Sequence, residues 1–252
     1  MCRIERTHTG TGRLRSCGLV IAVAATCLLG GRAIASGNAT SLGGLSSDHL
    51  FAVDGAATTG APALTTCDNF DVTTGDLAGR TVSDAARCSG FTWTVHSGSW
   101  TVSGGRVAGS GATPAIATLP VLLSSATASA AVHDVDTGGR QAGVVLDHNG
   151  VDTYLAALVV GDVVPRIDLV LVDAGVAAVL ASATVSLSSS VVVALTRDDA
   201  SVVVHLDGVQ VVSHSLDGAS VATLGAATGA GLSTSSSSVT IDNLRVSPPP
   251  TP

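Results

Sequence analysis

The chain has 252 residues, 46% of them hydrophobic but only 2% aromatic and 12% charged, with a formal net charge of −7 and a mean hydropathy of +0.50. So much apolar content with so little charge excludes an intrinsically disordered chain. The acidic balance, with no basic cluster beyond the first 35 residues, excludes a nucleic-acid binder.

Residues 1–35 read as an export signal. Arg3, Arg6, Arg13 and Arg15 form a positive leader, and Gly18 to Gly31 is an uncharged stretch too short to span about 30 Å of hydrocarbon. Ala33-Ile34-Ala35 then supplies the small-x-small pattern of a peptidase site. An uncleaved anchor is the alternative. Cleavage lowers Arg plus Lys from twelve to seven and Asp plus Glu from nineteen to eighteen, taking the formal charge from −7 to −11. The product contains neither Lys nor Glu, and retains Cys67 and Cys88. An even pair in an exported chain favours one disulfide closing a 22-residue loop, with two free thiols as the other possibility. The spacing excludes a Cys-x-x-Cys redox or zinc site. Residues 155–180 are apolar but interrupted by Asp162, Arg166, Asp168 and Asp173, which a bilayer span does not tolerate. The expected product is therefore secreted, with no membrane attachment after cleavage.

Residues 36–66 form a Gly/Ala/Ser/Thr-rich extension, and residues 248–252 a proline-rich tail. Between them, residues 67–247 carry short β-branched runs separated by turn residues, the signature of an all-β, antiparallel two-sheet sandwich. The first hairpin, Trp100–Gly109, turns at Gly104-Gly105 and sets Val102 opposite Val107. Strands are expected near Ala126–Val135, Ala142–Asp147, Tyr154–Val160, Ile167–Val172, Val176–Ala181, Val191–Thr196 and Val239–Val246. In Ser201–Leu216, Asp207-Gly208 is a two-residue turn signal. It pairs Leu206 with Val209, Val204 with Val211 and Val202 with Ser213 on the inward face, and leaves His205 opposite Gln210 on the outer one. The Ala-rich piece Ala219–Ala230 carries Gly225, Gly229 and several Thr, which count against a helix. Asp recurs where turns are needed, at Asp147–Gly150, Asp173–Gly175, Asp198-Asp199, Asp207-Gly208 and Asp217-Gly218, so most acidic residues have a turn role.

The order of these pieces resembles a known group. Asp68-Asn69-Phe70, Trp93-Thr94-Val95, Ser99-Trp100-Thr101-Val102, Gly105-Arg106-Val107, Ala142–Leu146, Asp152–Ala156, Val204–Val209 and Ile241–Val246 are similar, in sequence order, to concanavalin A-like lectin/glucanase domains, the laminin G-like jelly rolls of secreted bacterial proteins. The resemblance covers roughly residues 67–247 and implies two antiparallel sheets packed face to face. It also implies a structural Ca²⁺ stapling the first strand to the last, with Asp68 and Asp242 as ligands and Asp71 or Asp76 as further hard oxygen donors. Asp68 and Asp242 hydrogen-bonding terminal backbone groups is the other reading of the same residues.

Catalysis finds little support. Glycoside hydrolysis normally needs two carboxyls flanking the scissile bond, and the glucanases of this group use paired glutamates that the product lacks. No G-x-S-x-G elbow accompanies the six scattered histidines His49, His96, His133, His148, His205 and His214, which read as surface residues. No catalytic residue is assigned. Sugar binding needs a flat ring beside polar groups. Phe70, Trp93 and Trp100 read as core anchors, which leaves Tyr154, beside Asp147 and Asp152, as the expected exposed platform of a carbohydrate site. The expectation is a secreted, non-catalytic carbohydrate-binding module. The alternative is a structural or adhesive surface module without a glycan site, and a glycosidase is a distant third.

Overall fold

Period-two burial organises the chain in the computed structural model, which describes residues 66–71, 74–82, 90–121, 123–135, 138–149, 152–225 and 229–249. The export signal, nearly all of the extension, Cys88 and the last three residues lie outside the described residues. The strands are β1 (Thr66–Asp68), β2 (Gly75–Asp76), β3 (Thr94–Ser97), β4 (Ser99–Ser103), β5 (Arg106–Ser110), β6 (Ala115–Pro120), β7 (Ala126–His133), β8 (Arg140–Asn149), β9 (Thr153–Gly161), β10 (Arg166–Asp173), β11 (Val176–Thr184), β12 (Ser190–Asp198), β13 (Ser201–Leu206), β14 (Val209–Ser215), β15 (Gly229–Thr234) and β16 (Thr240–Ser247), with one helix, α1 (Gly218–Leu224). That helix is too short to cross a membrane.

Two antiparallel sheets result. One runs β14-β13-β12-β7-β16-β5-β4-β2, with β1 also paired to β16; the other runs β11-β10-β9-β8-β15-β6-β3. In the first sheet only one face is buried: Ala126, Ala128, Ala130 and Val132 of β7, and Val191, Val193 and Leu195 of β12, point into the core. The central strands of the second sheet are buried on both faces. Their inner residues Val144, Leu146, Leu155, Ala157, Ile167 and Leu169 join the main core. Their outer residues Val145, Tyr154, Ala156, Val170 and Val172 form a second apolar cluster with Ile116. Two glycines let these strands approach closely. A Cβ on Gly143 would sit 1.9 Å from the Ala157 carbonyl oxygen, and one on Gly231 would sit 2.1 Å from that of Ala117.

Each strand expected from the sequence is present, as is the Trp100–Gly109 hairpin with Val102 opposite Val107. Phe70, Trp93 and Trp100 are buried core residues, as expected. Two expectations need correction. The Asp207-Gly208 hairpin keeps Leu206↔Val209 and His205↔Gln210, but a bulge then pairs Val204 with Val212 and Val202 with His214. The extra residue sends Val212, not Val211, into the core. The Ala-rich piece does contain a helix: Asp217 caps α1 by accepting the Ser220 N–H at 2.7 Å, and Leu224 anchors it in the core. Beyond that helix, the end of the same piece, Gly229-Ala230, opens the central strand β15.

Candidate ligand-binding groove

On the outer face of the second sheet, β3, β6, β8 and the start of β15 enclose a groove of about 470 Å³, lined by Gly90, Phe91, Thr92, Thr94, His96, Thr118, Pro120, His148 and Gly229. That volume lies within the usual range for small-molecule sites, about 300–1,000 Å³. β6 alternates Ala117 and Leu119 inward with Thr118 and Pro120 outward. β3 presents Thr94 and His96 on the same side. Between β6 and β8 stands Gly229, where a Cβ would press on Thr118 Oγ1 at 3.1 Å and on the His148 carbonyl at 3.2 Å. The missing side chain leaves space in which two imidazoles meet.

His96 and His148 stack with ring centroids 3.9 Å apart and 28° between planes. On the other side of His148 lies Tyr154, at 5.8 Å and 15°. Three rings from β3, β8 and β9 thus form a ladder. His96 is exposed, while His148 is only 3% and Tyr154 only 5% exposed. The His96 Nε2 shares a 2.8 Å hydrogen bond with the Thr118 hydroxyl.

Burial holds His148 neutral, with its pKa pushed down to about 4, and the neighbouring His96 adds to the shift while Asp152 opposes it. His96 is lowered for the same main reason, again against the pull of Asp152. Burial raises the Tyr154 phenol, with Asp152 contributing in the same direction. The ladder is therefore uncharged at neutral pH.

The three residues expected at a carbohydrate site separate. Asp152 is exposed in the β8–β9 turn, at φ 50°, and its carboxylate acts on all three rings. Tyr154 is not an exposed platform; it is the buried inner rung, because His148 covers its face. Asp147 does not face the groove. It turns inward to Arg197 on the opposite sheet, with 2.6 Å between Arg197 Nη1 and Asp147 Oδ2. Burial raises the Asp147 carboxyl, and Arg197 works against that shift. His96 and His148, read from the sequence as separate surface histidines, instead meet in the groove, and that juxtaposition is what the reading missed. A bulge in β8 and the intervening Gly229 bring them together, and neither leaves a local signature.

The carboxylates expected to hold calcium do not form one donor set. Asp68 pairs in register with Leu244 and shares its buried, inward face. Its Oδ2 accepts the Trp93 indole N–H at 2.7 Å and its Oδ1 the Phe70 N–H at 2.9 Å. Asp242 lies on β16 between inward Ile241 and the Asn243 bulge, on the outer face, with its Oδ1 taken by the Asn243 N–H. Asp71 accepts from the Asn69 side chain, and Asp76 sits exposed on β2. Among the described residues, no group of three or more His, Cys, Asp or Glu is arranged to hold a metal ion. Cys67 is disulfide-bonded.

No protein-family model matches the sequence, and no curated protein does. Solved structures do. The chain is similar to the GH43 protein BlXynB from Bacillus licheniformis, at 14% identity and a TM-score of 0.51, over 73% of this chain and 39% of that one. The fold is an all-β sandwich of two antiparallel sheets. Similar structures also include the carbohydrate-binding module CBM66 from Bacillus subtilis (14% identity, 62% of this chain, 90% of that, TM-score 0.45) and a legume lectin-like domain from Entamoeba histolytica (13%, 63%, 90%, 0.47). This sandwich spans only 39% of the length of the B. licheniformis protein.

Proposed function

We propose that this sandwich is an exported, non-catalytic module that binds extracellular or cell-surface carbohydrate in the His96–His148 groove. The observation that carries the reading is the uncharged ring ladder flanked by the Thr118 hydroxyl and the Asp152 carboxylate. Sugars present apolar C–H faces and rows of hydroxyls. The exposed face of His96, stacked on buried His148, offers the first, and the His96 imidazole and the Asp152 carboxylate offer the second. Phe91 and Pro120 add apolar surface at the groove wall.

A non-catalytic role is supported by the carboxylates. Hydrolysis by the usual route takes two of them, about 5–10 Å apart across the bond. The described lining of the groove contains none, Asp152 stands beside it, and Asp147 is committed to Arg197. Export is supported by the amino-terminal pattern and by the disulfide at Cys67, for which Cys88 is the proposed partner.

The test is a glycan array read with the exported chain and with the variants His96→Ala and Phe91→Ala. Binding of at least one glycan class, weakened about tenfold or more by either change (about 1.4 kcal/mol), is the expected result. Absence of binding to every glycan at millimolar concentration would overturn the carbohydrate reading and favour the structural or adhesive alternative. Release of sugar from a bound polysaccharide would overturn the non-catalytic assignment.

A further inference from the structure

We infer that the buried ion pair between Arg197 and Asp147 positions the His148 ring in the groove, acting through a bulge in β8, so that both are positioning residues of a site neither one lines. In a regular strand alternate residues share a face. Val145 belongs to the outer apolar cluster and Leu146 to the inner core; unbroken alternation would then turn Asp147 outward and His148 inward. The observed register is different. Leu146 pairs with Leu155 and Asn149 with Thr153, so two residues, Asp147 and His148, occupy the place opposite the single residue Tyr154. Asp147 adopts φ 57° and takes the inward side, which delivers His148 to the outer side, against Tyr154 and His96. A bulge of one residue thereby reverses which side chain reaches the groove.

Arg197 explains why the bulge stays in place. On β12 it follows the inward series Val191, Val193 and Leu195 and is buried between the sheets. Its Nε donates to the Asp199 carbonyl at 2.9 Å and its Nη1 to Asp147 Oδ2. The exposed fractions of the two side chains are 5% and 2%. A guanidinium held there requires an anion at the same depth, because an unpaired buried charge is strongly disfavoured. Among the described residues the ion pair given to Arg197 is the one with Asp147, and only the bulged geometry brings that carboxylate inward.

The experiment compares the exported chain with the double variant Asp147→Leu/Arg197→Met, which removes both charges and keeps apolar volume between the sheets. Arg197→Met alone serves as a second variant. Three readouts are taken: far-ultraviolet dichroism with thermal unfolding, the His148 and His96 ring-proton resonances by NMR, and affinity for whichever glycan the array identifies. The expected result is a cooperatively folded β protein in which the ring-current shifts of the His96–His148 stack collapse and glycan affinity falls at least tenfold. Arg197→Lys, which keeps the charge, should restore part of the shift. A folded double variant with unchanged His148 resonances overturns the positioning role. The inference relies on the proposed function only for its affinity readout. A wild-type chain that binds no glycan therefore overturns that function, while the resonances still decide the present assignment.

Discussion

Asp68 and Trp93 are joined across 25 residues of sequence by a 2.7 Å hydrogen bond from the indole N–H to Oδ2, with both side chains buried. This bond links β1, paired to the interior strand β16 of one sheet, to the segment leading into β3, at the edge of the other. Replacing Asp68 by Ala leaves the indole donor and the Phe70 N–H without this acceptor, and should cost about 2 kcal/mol, as for other hydrogen bonds to charged groups. Denaturant unfolding of Asp68→Ala, Trp93→Phe and the double variant measures the coupling. Since Asp68 acts here as an acceptor of N–H groups, EDTA should leave the midpoint of the wild-type chain unchanged. A midpoint that drops on chelation would restore the cation reading.

The close approaches at Gly143 and Gly231 predict a sharp contrast among glycines. Gly143→Ala places a methyl 1.9 Å from a backbone oxygen that cannot rotate away, and should destabilise the fold by about 3 kcal/mol, the upper end for overpacking. Gly218→Ala, in the first turn of α1, meets nothing within 4 Å. It should be neutral or stabilise by up to about 1 kcal/mol, because alanine favours a helix. Thermal unfolding of the two variants distinguishes them.

The bulged β13–β14 register can be tested by charge insertion. Val212 is buried and Val211 only half-buried, so Val212→Asp should cost about 3 kcal/mol or more, and Val211→Asp about 1 kcal/mol. The reverse ranking would favour the unbulged pairing of Val204 with Val211.

Acid should weaken the fold through His148. Its folded pKa of about 4 lies below the ordinary 6.5, so between those values the unfolded chain takes up a proton that the folded chain refuses. The His148 contribution is fully present above pH 6.5 and is lost as pH falls toward 4. The loss amounts to about 1–3 kcal/mol. Asp147 and Asp242, whose carboxyls are raised, favour the folded state in the acidic direction, so the difference between wild type and His148→Gln isolates the imidazole. Unfolding free energies of the two proteins at pH 7 and pH 4.5 should diverge, with the wild type losing more.

Most of the sandwich is readable from alternation. The series Val191, Val193, Leu195 on β12 and Val202, Val204, Leu206 on β13 mark inward faces directly. β6 (AIATLP) and β15 (GAGLST) escape because both of their faces are buried and their residues are small, so no two-residue contrast arises. α1 owes its place to the Asp217 cap and to Leu224 reaching the core, and the second of these is a tertiary contact. The groove was the least legible part. Its geometry depends on a bulge whose stabilising partner, Arg197, lies 50 residues downstream. The clue was the Arg at an inward position of an otherwise apolar series, which demands an anion facing it.

β11 ends the second sheet, and its nine residues carry no charge, with Val176 72% and Val179 60% exposed. Edge strands of natural sheets are usually guarded by lysine, proline or an inward charge, and Val176–Thr184 has none of these. Pairing of that edge between copies is then opposed by the collective negative charge of the molecule, which acts over about 30 Å in dilute buffer but only about 8 Å at physiological ionic strength. Colloidal behaviour should accordingly follow salt: the protein stays dispersed at low ionic strength and self-associates as the solution is made more saline.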